Sequence, residues 1–301
     1  MINIVKHRVW FYVVSVILIA ASIASLAFWG LKPGIDFQGG TYWEFQFNNQ
    51  VDKATVQQAL QKTVTGEVIV QQSDKLFTVR TKELTEADHQ TLIAVAKGID
   101  QSFSELQWQT VGPTVGDTLR QKSIEAIIFV ILGISLYVAF AFRHASKPIS
   151  SWKYGLITVA SLFHDVTIPL GFFAIMGHFM HVEIDTNFIV AMLVIMGFSV
   201  HDTIVVFDRI REKLRVLRVA TPFPELVNQS LNETLTRSIN TSFTVLLALI
   251  AVYVWGSYTL KWFILTLMVG IFTGTYSSIF IASTLLVDVW KLQERKSRSK
   301  K

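Results

Sequence analysis

Six runs of about twenty mostly apolar residues dominate the chain, at residues 9–29, 124–142, 154–176, 188–207, 238–256 and 262–287. At about 1.5 Å of rise per residue, each is long enough as a helix to cross a hydrocarbon layer about 30 Å thick. The pattern predicts six transmembrane helices. The only long polar segment, residues 34–122, lies between the first and second runs, and here the period changes. Thr41–Phe47 alternates like a half-buried strand. Asp52–Thr63 is polar, with Val56, Ala59 and Leu60 at helical spacing. Glu67–Gln71 and Leu76–Thr81 read as strands joined by a turn at Ser73 and Asp74. Thr85 and Asp88 form a capping box that opens a helix running to about Phe103, and Leu106–Val111 is the last strand. The order β-α-β-β-α-β is that of the ferredoxin-like split motif. The fold class expected is an α-helical polytopic membrane protein with a small α+β domain between helices one and two. It divides into residues 1–33 (first helix), 34–122 (α+β domain), 123–290 (helices two to six) and 291–301 (basic tail).

Charge sets the expected orientation. Lys6 and Arg8 precede the first run. Arg143, Lys147 and Lys153 lie between runs two and three, and Arg209, Arg211, Lys213, Arg215 and Arg218 follow run four. Lys291, Arg295, Lys296, Arg298, Lys300 and Lys301 crowd the tail. The connection 177–186 has no Lys or Arg, and 256–261 has only Lys261. Positive charge marks the cytoplasmic side. The chain is therefore expected N-in and C-in, with residues 34–122 outside. The first run is too long for the core of a signal peptide and is read as an uncleaved helix. A basic juxtamembrane tail is the ordinary anchor to anionic lipid, so a nucleic-acid role is not expected.

A mean hydropathy of +0.44 agrees with membrane residence. The absence of cysteine excludes disulfides and thiolate metal sites. His89, the only histidine of the polar segment, is expected on an exposed helix face. A metal role there is disfavoured, because a metal needs several convergent ligands.

The chemistry concentrates in the apolar runs. Asp202 lies six residues before Asp208 and hence about 9 Å deeper along its helix. A carboxylate at that depth costs about 2.5–3.5 kcal/mol on insertion scales, which makes a proton relay the preferred reading over a plain hydrogen bond between helices. Arg237, at the start of run five, is the expected partner, since arginine stays charged at any relevant pH. The polar run Asn232–Ser242 around it points to an inward-looking face. Asp165, beside His164 and before Pro169, is open between a packing contact and a proton role. His201 projects about 100° away from Asp202 and makes no dyad with it. Asp208, Arg209, Arg211 and Glu212 form a charged collar that fixes a helix end, with Asp208 and Arg211 spaced to pair. Gly133, Gly155, Gly171, Gly197, Gly270 and Gly274 are expected at close helix contacts.

Three further strings accompany Asp202. Gly34-Ile-Asp36-Phe37-Gln-Gly39-Gly40 follows run one as a turn into a strand, with Asp36 placed to fix it through backbone amides. Val111-Gly-Pro-Thr-Val-Gly116 leads into run two, and Asn232–Ser242 opens run five. Together with Asp202-Thr-Ile-Val-Val-Phe-Asp208-Arg209-Ile-Arg211-Glu212, they resemble the SecD/SecF branch of the resistance–nodulation–division (RND) superfamily. The length matches the smaller, SecF-type half. The resemblance covers nearly the whole chain and implies an RND-half fold in the bacterial cytoplasmic (inner) membrane. It implies a non-enzymatic accessory of protein export with no bound cofactor and H⁺ as the coupling ion. It assigns Asp202 and Arg237 to the proton path and leaves the family's other intramembrane carboxylate to SecD. The implied partners are SecD, the SecY-SecE-SecG channel with SecA, YajC, exported unfolded polypeptides and membrane lipid. The runner-up is a half-size RND-type exporter of lipids or amphiphiles, which ordinarily needs a larger outer domain. A membrane enzyme finds no nucleophile–base pair, HExxH or phosphate loop in the sequence.

Overall fold

The computed structural model describes residues 2–143, 149–216, 221–256 and 260–298. Of the basic residues used for orientation, Lys147, Arg218, Lys300 and Lys301 lie outside these, as does the 257–259 part of the last short connection. The chain divides into two compact units, residues 33–124 and the remainder.

The larger unit is a helical bundle. Its helices are α1 (Arg8–Trp29), the part of α5 (Pro113–Ala141) from Glu125 onward, α6 (Ser151–Met180), α7 (Thr186–Val216), α8 (Phe223–Trp255), α9 (Lys261–Ser277) and α10 (Ser283–Arg298). A π turn, Ser278–Ala282, joins the last two without a break. Among the described residues, six helical spans are long and apolar enough to cross a membrane. Several run well beyond their apolar stretch. α5 begins at Pro113, a residue whose missing N–H costs nothing at a helix start. α8 begins at Phe223, fifteen residues before its apolar run. The apolar pattern marks the lipid-facing length of such helices, while their polar ends carry good helix formers.

α6, α7 and the α9–α10 span form the centre: 56%, 50% and 61% of their apolar windows are buried, against 6% for α5 and 11% for α8. α1 packs along α6, and α7 along α9. The approach of α1 to α6 is close enough that a Cβ added at Gly171 would lie 2.2 Å from Ser22 Cβ. Ser25 Oγ also donates to the Gly171 carbonyl over 2.9 Å. A Cβ at Gly270 would meet Ile195, at Gly274 Ser199 and at Gly155 the Ser135 carbonyl. Gly133 and Gly197 depart from expectation: nothing lies within 4 Å of a Cβ there, because both point away from the helices packed on their own. Residues before α1 dock on α8. Asn232 bonds both N–H (2.9 Å) and C=O (2.8 Å) of Ile2, while Asn228 bonds the Ile2 carbonyl (3.1 Å) and the Val5 N–H (3.3 Å). Ile4, 1% exposed, enters the core between them.

The smaller unit is an antiparallel sheet of β1 (Gly40–Gln46), β2 (Ile69–Ser73), β3 (Leu76–Thr81) and β4 (Ser104–Val111), in the order β2-β3-β1-β4. The helices α3 (Lys53–Gln61) and α4 (Glu86–Ile99) complete it, after a single short turn α2 (Ile35–Gln38). Trp43, Phe45, Phe47 and Phe77 build its core with Val56, Leu60 and Leu92 from the helices. Thr85 and Asp88 make the capping box of α4. His89 corrects its sequence reading. It is 7% exposed rather than on an open face, because it shares the sheet-facing side of α4 with Leu92 and Ala96, at helical spacing. Its ring stacks on Trp108 at 3.8 Å and its Nε2 lies 2.6 Å from Glu105 Oε1.

Candidate proton-relay site

Among the described residues, two carboxylates lie in the interior of the helical unit. Asp165 of α6 is 0% exposed and Asp202 of α7 is 6% exposed. Every oxygen of both is hydrogen-bonded. Asp202 Oδ1 accepts from Ser238 Oγ of α8 at 2.7 Å, and Oδ2 from Ser278 Oγ of the π turn at 2.7 Å. Asp165 Oδ2 accepts from Ser277 Oγ of α9 at 2.7 Å and from Ser199 Oγ of α7, and Oδ1 lies 2.8 Å from His164 Nδ1. Ser161 Oγ joins Ser277 Oγ at 3.1 Å. One turn from Asp202's partners, Ser242 and Thr275 bond each other at 2.5 Å. His164 Nε2 is buried and finds no hydrogen-bond partner among the described residues, while its ring stacks on Tyr276.

The local sequence explains this convergence. Ser199 precedes Asp202 by three residues, so α7 presents both toward α9 from one face. On the opposing span, Ser277 ends α9 and Ser278 begins the π turn, so two consecutive hydroxyls meet two different helices. π turns inside α-helices are frequent at functional sites. Pro169 lies inside α6, four residues past Asp165.

Arg237 is placed otherwise than the sequence reading has it. It is exposed, and its guanidinium has no partner among the described residues, so the Asp202–Arg237 pair is not made within this chain. The next residue, Ser238, turned about 100° round α8, faces Asp202 instead. With Arg237, Asn240, Thr241 and Thr244 form an exposed polar stripe at spacings of three and four where the apolar run of α8 begins. Asp202 and Asp165 therefore share one hydroxyl-lined interior, with Arg237 on the outer face of the same bundle. His201 is exposed and takes no part. The serines were not singled out from the sequence; their signal is polar residues recurring at one level of four apolar runs.

The collar lies further along α7. Arg211 pairs with Asp208 and reaches the Ala141 carbonyl at 3.3 Å. Arg209 bridges Glu212 (2.6 Å) and Glu233 of α8 (2.6 Å), and Lys213 adds a second cation on Glu233 at 2.7 Å. In the smaller unit, Asp36 and Phe37 are buried in α2, and Asp36 Oδ1 accepts from the Gln109 side chain of β4 at 2.9 Å. Gly34 caps α2. Gly39 and Gly40 have φ of +75° and +121°, conformations that L side chains rarely adopt. A Cβ at Gly39 would also meet Pro113 Cα at 2.9 Å, and one at Gly40 the Thr81 carbonyl at 2.7 Å. The double glycine thus lets the chain turn from α2 into β1 against β3 and the start of α5.

Residues 91–292 match the family described as protein export membrane protein SecD/SecF, C-terminal, and residues 24–51 match the SecD/SecF GG motif. The protein translocase subunit SecF of Thermobaculum terrenum is 43% identical over 301 residues, covering 96% of this chain and 94% of that one. The protein translocase subunit SecDF of Thermus thermophilus is 34% identical over 95% of this chain, which spans 38% of it. The crystal structure of SecDF, a translocon-associated membrane protein from the same organism, superposes with a TM-score of 0.83 at 32% identity. That match covers 96% of this chain and 38% of the other. The six-helix unit thus has the RND-half fold.

Proposed function

Since the chain belongs to the SecD/SecF family of protein-export membrane proteins, as an accessory of the Sec translocon, we propose that it uses the proton motive force to promote movement of exported chains. It does so with a SecD-type partner in the bacterial inner membrane. The observation that carries the reading is Asp202, a buried carboxylate in a membrane helix whose hydrogen-bond partners among the described residues are neutral hydroxyls. An ionisable group at that depth is a relay candidate by default. Held by hydroxyls and not locked to a cation, it can change its proton occupancy. Asp165 is the second proton-bearing group, within the same hydroxyl-lined interior. Arg237 acts across the subunit boundary: the stripe of Arg237, Asn240, Thr241 and Thr244 is costly against lipid and suits a second membrane subunit bearing its own carboxylate.

The basic residues at the cytoplasmic ends support an N-in, C-in topology, which puts residues 33–124 on the outer face, where exported polypeptides emerge. The SecY-SecE-SecG channel with SecA, and YajC, are the surroundings in which this subunit works. One proton crossing 100 mV releases about 2.3 kcal/mol, which is the energy available to each step of such coupling. The test is Asp202→Asn in membrane vesicles containing the SecD-type partner. The variant is expected to fold and co-purify with the partner but to lose stimulation of export by an imposed proton gradient. Full stimulation would overturn the proposal.

A further inference from the structure

Among the hydroxyls on the two carboxylates, Ser277 and Ser278 each have a second acceptor. Ser277 Oγ is 2.7 Å from Asp165 Oδ2 and 3.1 Å from the Gly274 carbonyl. Ser278 Oγ is 2.7 Å from Asp202 Oδ2 and 3.0 Å from the Thr275 carbonyl. A hydroxyl carries one proton and two lone pairs. It therefore donates either to the carboxylate or to its own helix, three residues back, with no heavy atom moving. When the carboxylate is ionised, the hydroxyl donates to it. When the carboxyl is protonated, its O–H needs an acceptor; the serine turns its proton onto the helix carbonyl and accepts through the freed lone pair. A lysine, arginine or backbone N–H in that place would confront the acid proton with another proton.

We propose that Ser277 and Ser278 are rotor residues that keep Asp165 and Asp202 hydrogen-bonded in both protonation states, and so allow protons to load and leave without opening the bundle. The inference rests on the proton-coupled reading above and specifies how it operates. The groups facing the two carboxylates favour this assignment. α6 supplies His164, α7 supplies Ser199, α8 supplies Ser238 while Arg237 stays exposed, and α9 supplies Tyr276, stacked on His164. α1 brings buried Ser15, Ser22 and Ser25 along α6, and its Tyr12 is taken up by Asp288 of α10. Among the described residues, no lysine or arginine pairs with either carboxylate; hydroxyls answer a change of charge at Asp202, and hydroxyls together with the His164 ring at Asp165.

The experiment is an infrared pH titration of the full chain in lipid nanodiscs, following the carboxylic-acid C=O stretch and assigning its bands with Asp165→Asn and Asp202→Asn. Ser278→Ala is expected to shift the acid C=O stretch of Asp202, since the protonated carboxyl then loses the hydroxyl that accepts its hydrogen bond. Ser277→Ala is expected to do the same to Asp165. Ser278→Thr and Ser277→Thr, which keep the hydroxyl, should restore the wild-type bands. A serine that only packs would change thermal unfolding and leave the stretch where it is. Bands that titrate but ignore both alanine variants overturn the rotors alone. Absence of any titrating band removed by Asp165→Asn or Asp202→Asn overturns the proton-coupled reading as well.

Discussion

Ser277 and Ser278 are neighbours in the chain, yet the first donates to Asp165 and the second to Asp202, each over 2.7 Å. Two carboxylates on different helices are thereby tied to successive residues of one turn. No displacement of that turn can change the surroundings of one acid and leave the other untouched.

The contact of α1 with α6 sets a stability prediction. Gly171→Ala places a methyl 2.2 Å from Ser22 Cβ and 2.3 Å from Ser22 Cα, and backbone cannot swing aside. A loss of about 1–3 kcal/mol is expected from such overpacking. Gly197→Ala, with open space around its new methyl, should be neutral or slightly stabilising. Thermal unfolding of both variants in detergent, followed by circular dichroism, checks the contrast. Equal melting temperatures would contradict it.

The grip of α8 on the residues before α1 is also testable. Asn232→Ala removes both hydrogen bonds to Ile2 and leaves Asn228 holding the Ile2 carbonyl and Val5. Amide exchange at residues 2–5 should rise at least several-fold, with a cost of about 1–2 kcal/mol. Hydrogen–deuterium exchange read by mass spectrometry reports this directly, and unchanged protection would show that burial of Ile4 suffices.

Acid should loosen the cap of α4. The N–H and hydroxyl of Thr85 hold the Asp88 carboxyl below its ordinary 3.8. A depressed folded value means that the stabilisation is complete above the unfolded value and is lost as pH falls from about 3.8 through the folded one. Asp88→Asn should therefore be less stable than wild type near neutrality and converge with it in acid. Tryptophan fluorescence during unfolding at a series of pH values measures the difference. A gap that stays constant into acid would refute the assignment.

The exposed stripe of α8 separates partner binding from self-folding. Asn240→Leu combined with Thr244→Leu touches no interior contact, since both residues are exposed. Melting of the isolated chain should stay within about 0.5 kcal/mol of wild type. Recovery of the SecD-type partner by affinity purification should fall several-fold. Undiminished recovery would place the partner elsewhere.

The sequence revealed the architecture better than the site. Six helices and the β-α-β-β-α-β order stand out because each apolar run or alternation is a local signal many residues long. His89 was misplaced because a single polar residue on a buried face breaks the pattern that marks that face, although its spacing to Leu92 and Ala96 matches the buried side. Asp202 and Asp165 were legible as costly residues in apolar runs. Their partners were not, because Ser278 lies 76 residues from Asp202 and Ser277 112 from Asp165, and the meeting depends on how helices cross. Arg237 and Ser238 show the limit most clearly. The charge of Arg237 made it the expected partner, and one step of helix rotation gave the contact to Ser238.

Pro169 has no N–H to give the carbonyl four residues before it, and that carbonyl belongs to Asp165. On the facing span, the π turn from Ser278 interrupts the regular α-helical bonding just after the serine that holds Asp165. Two of the central rods of the bundle are thus at their most compliant where its ionisable groups sit. A change of charge there acts on backbone already able to bend, so the charged layer is also the bundle's natural joint.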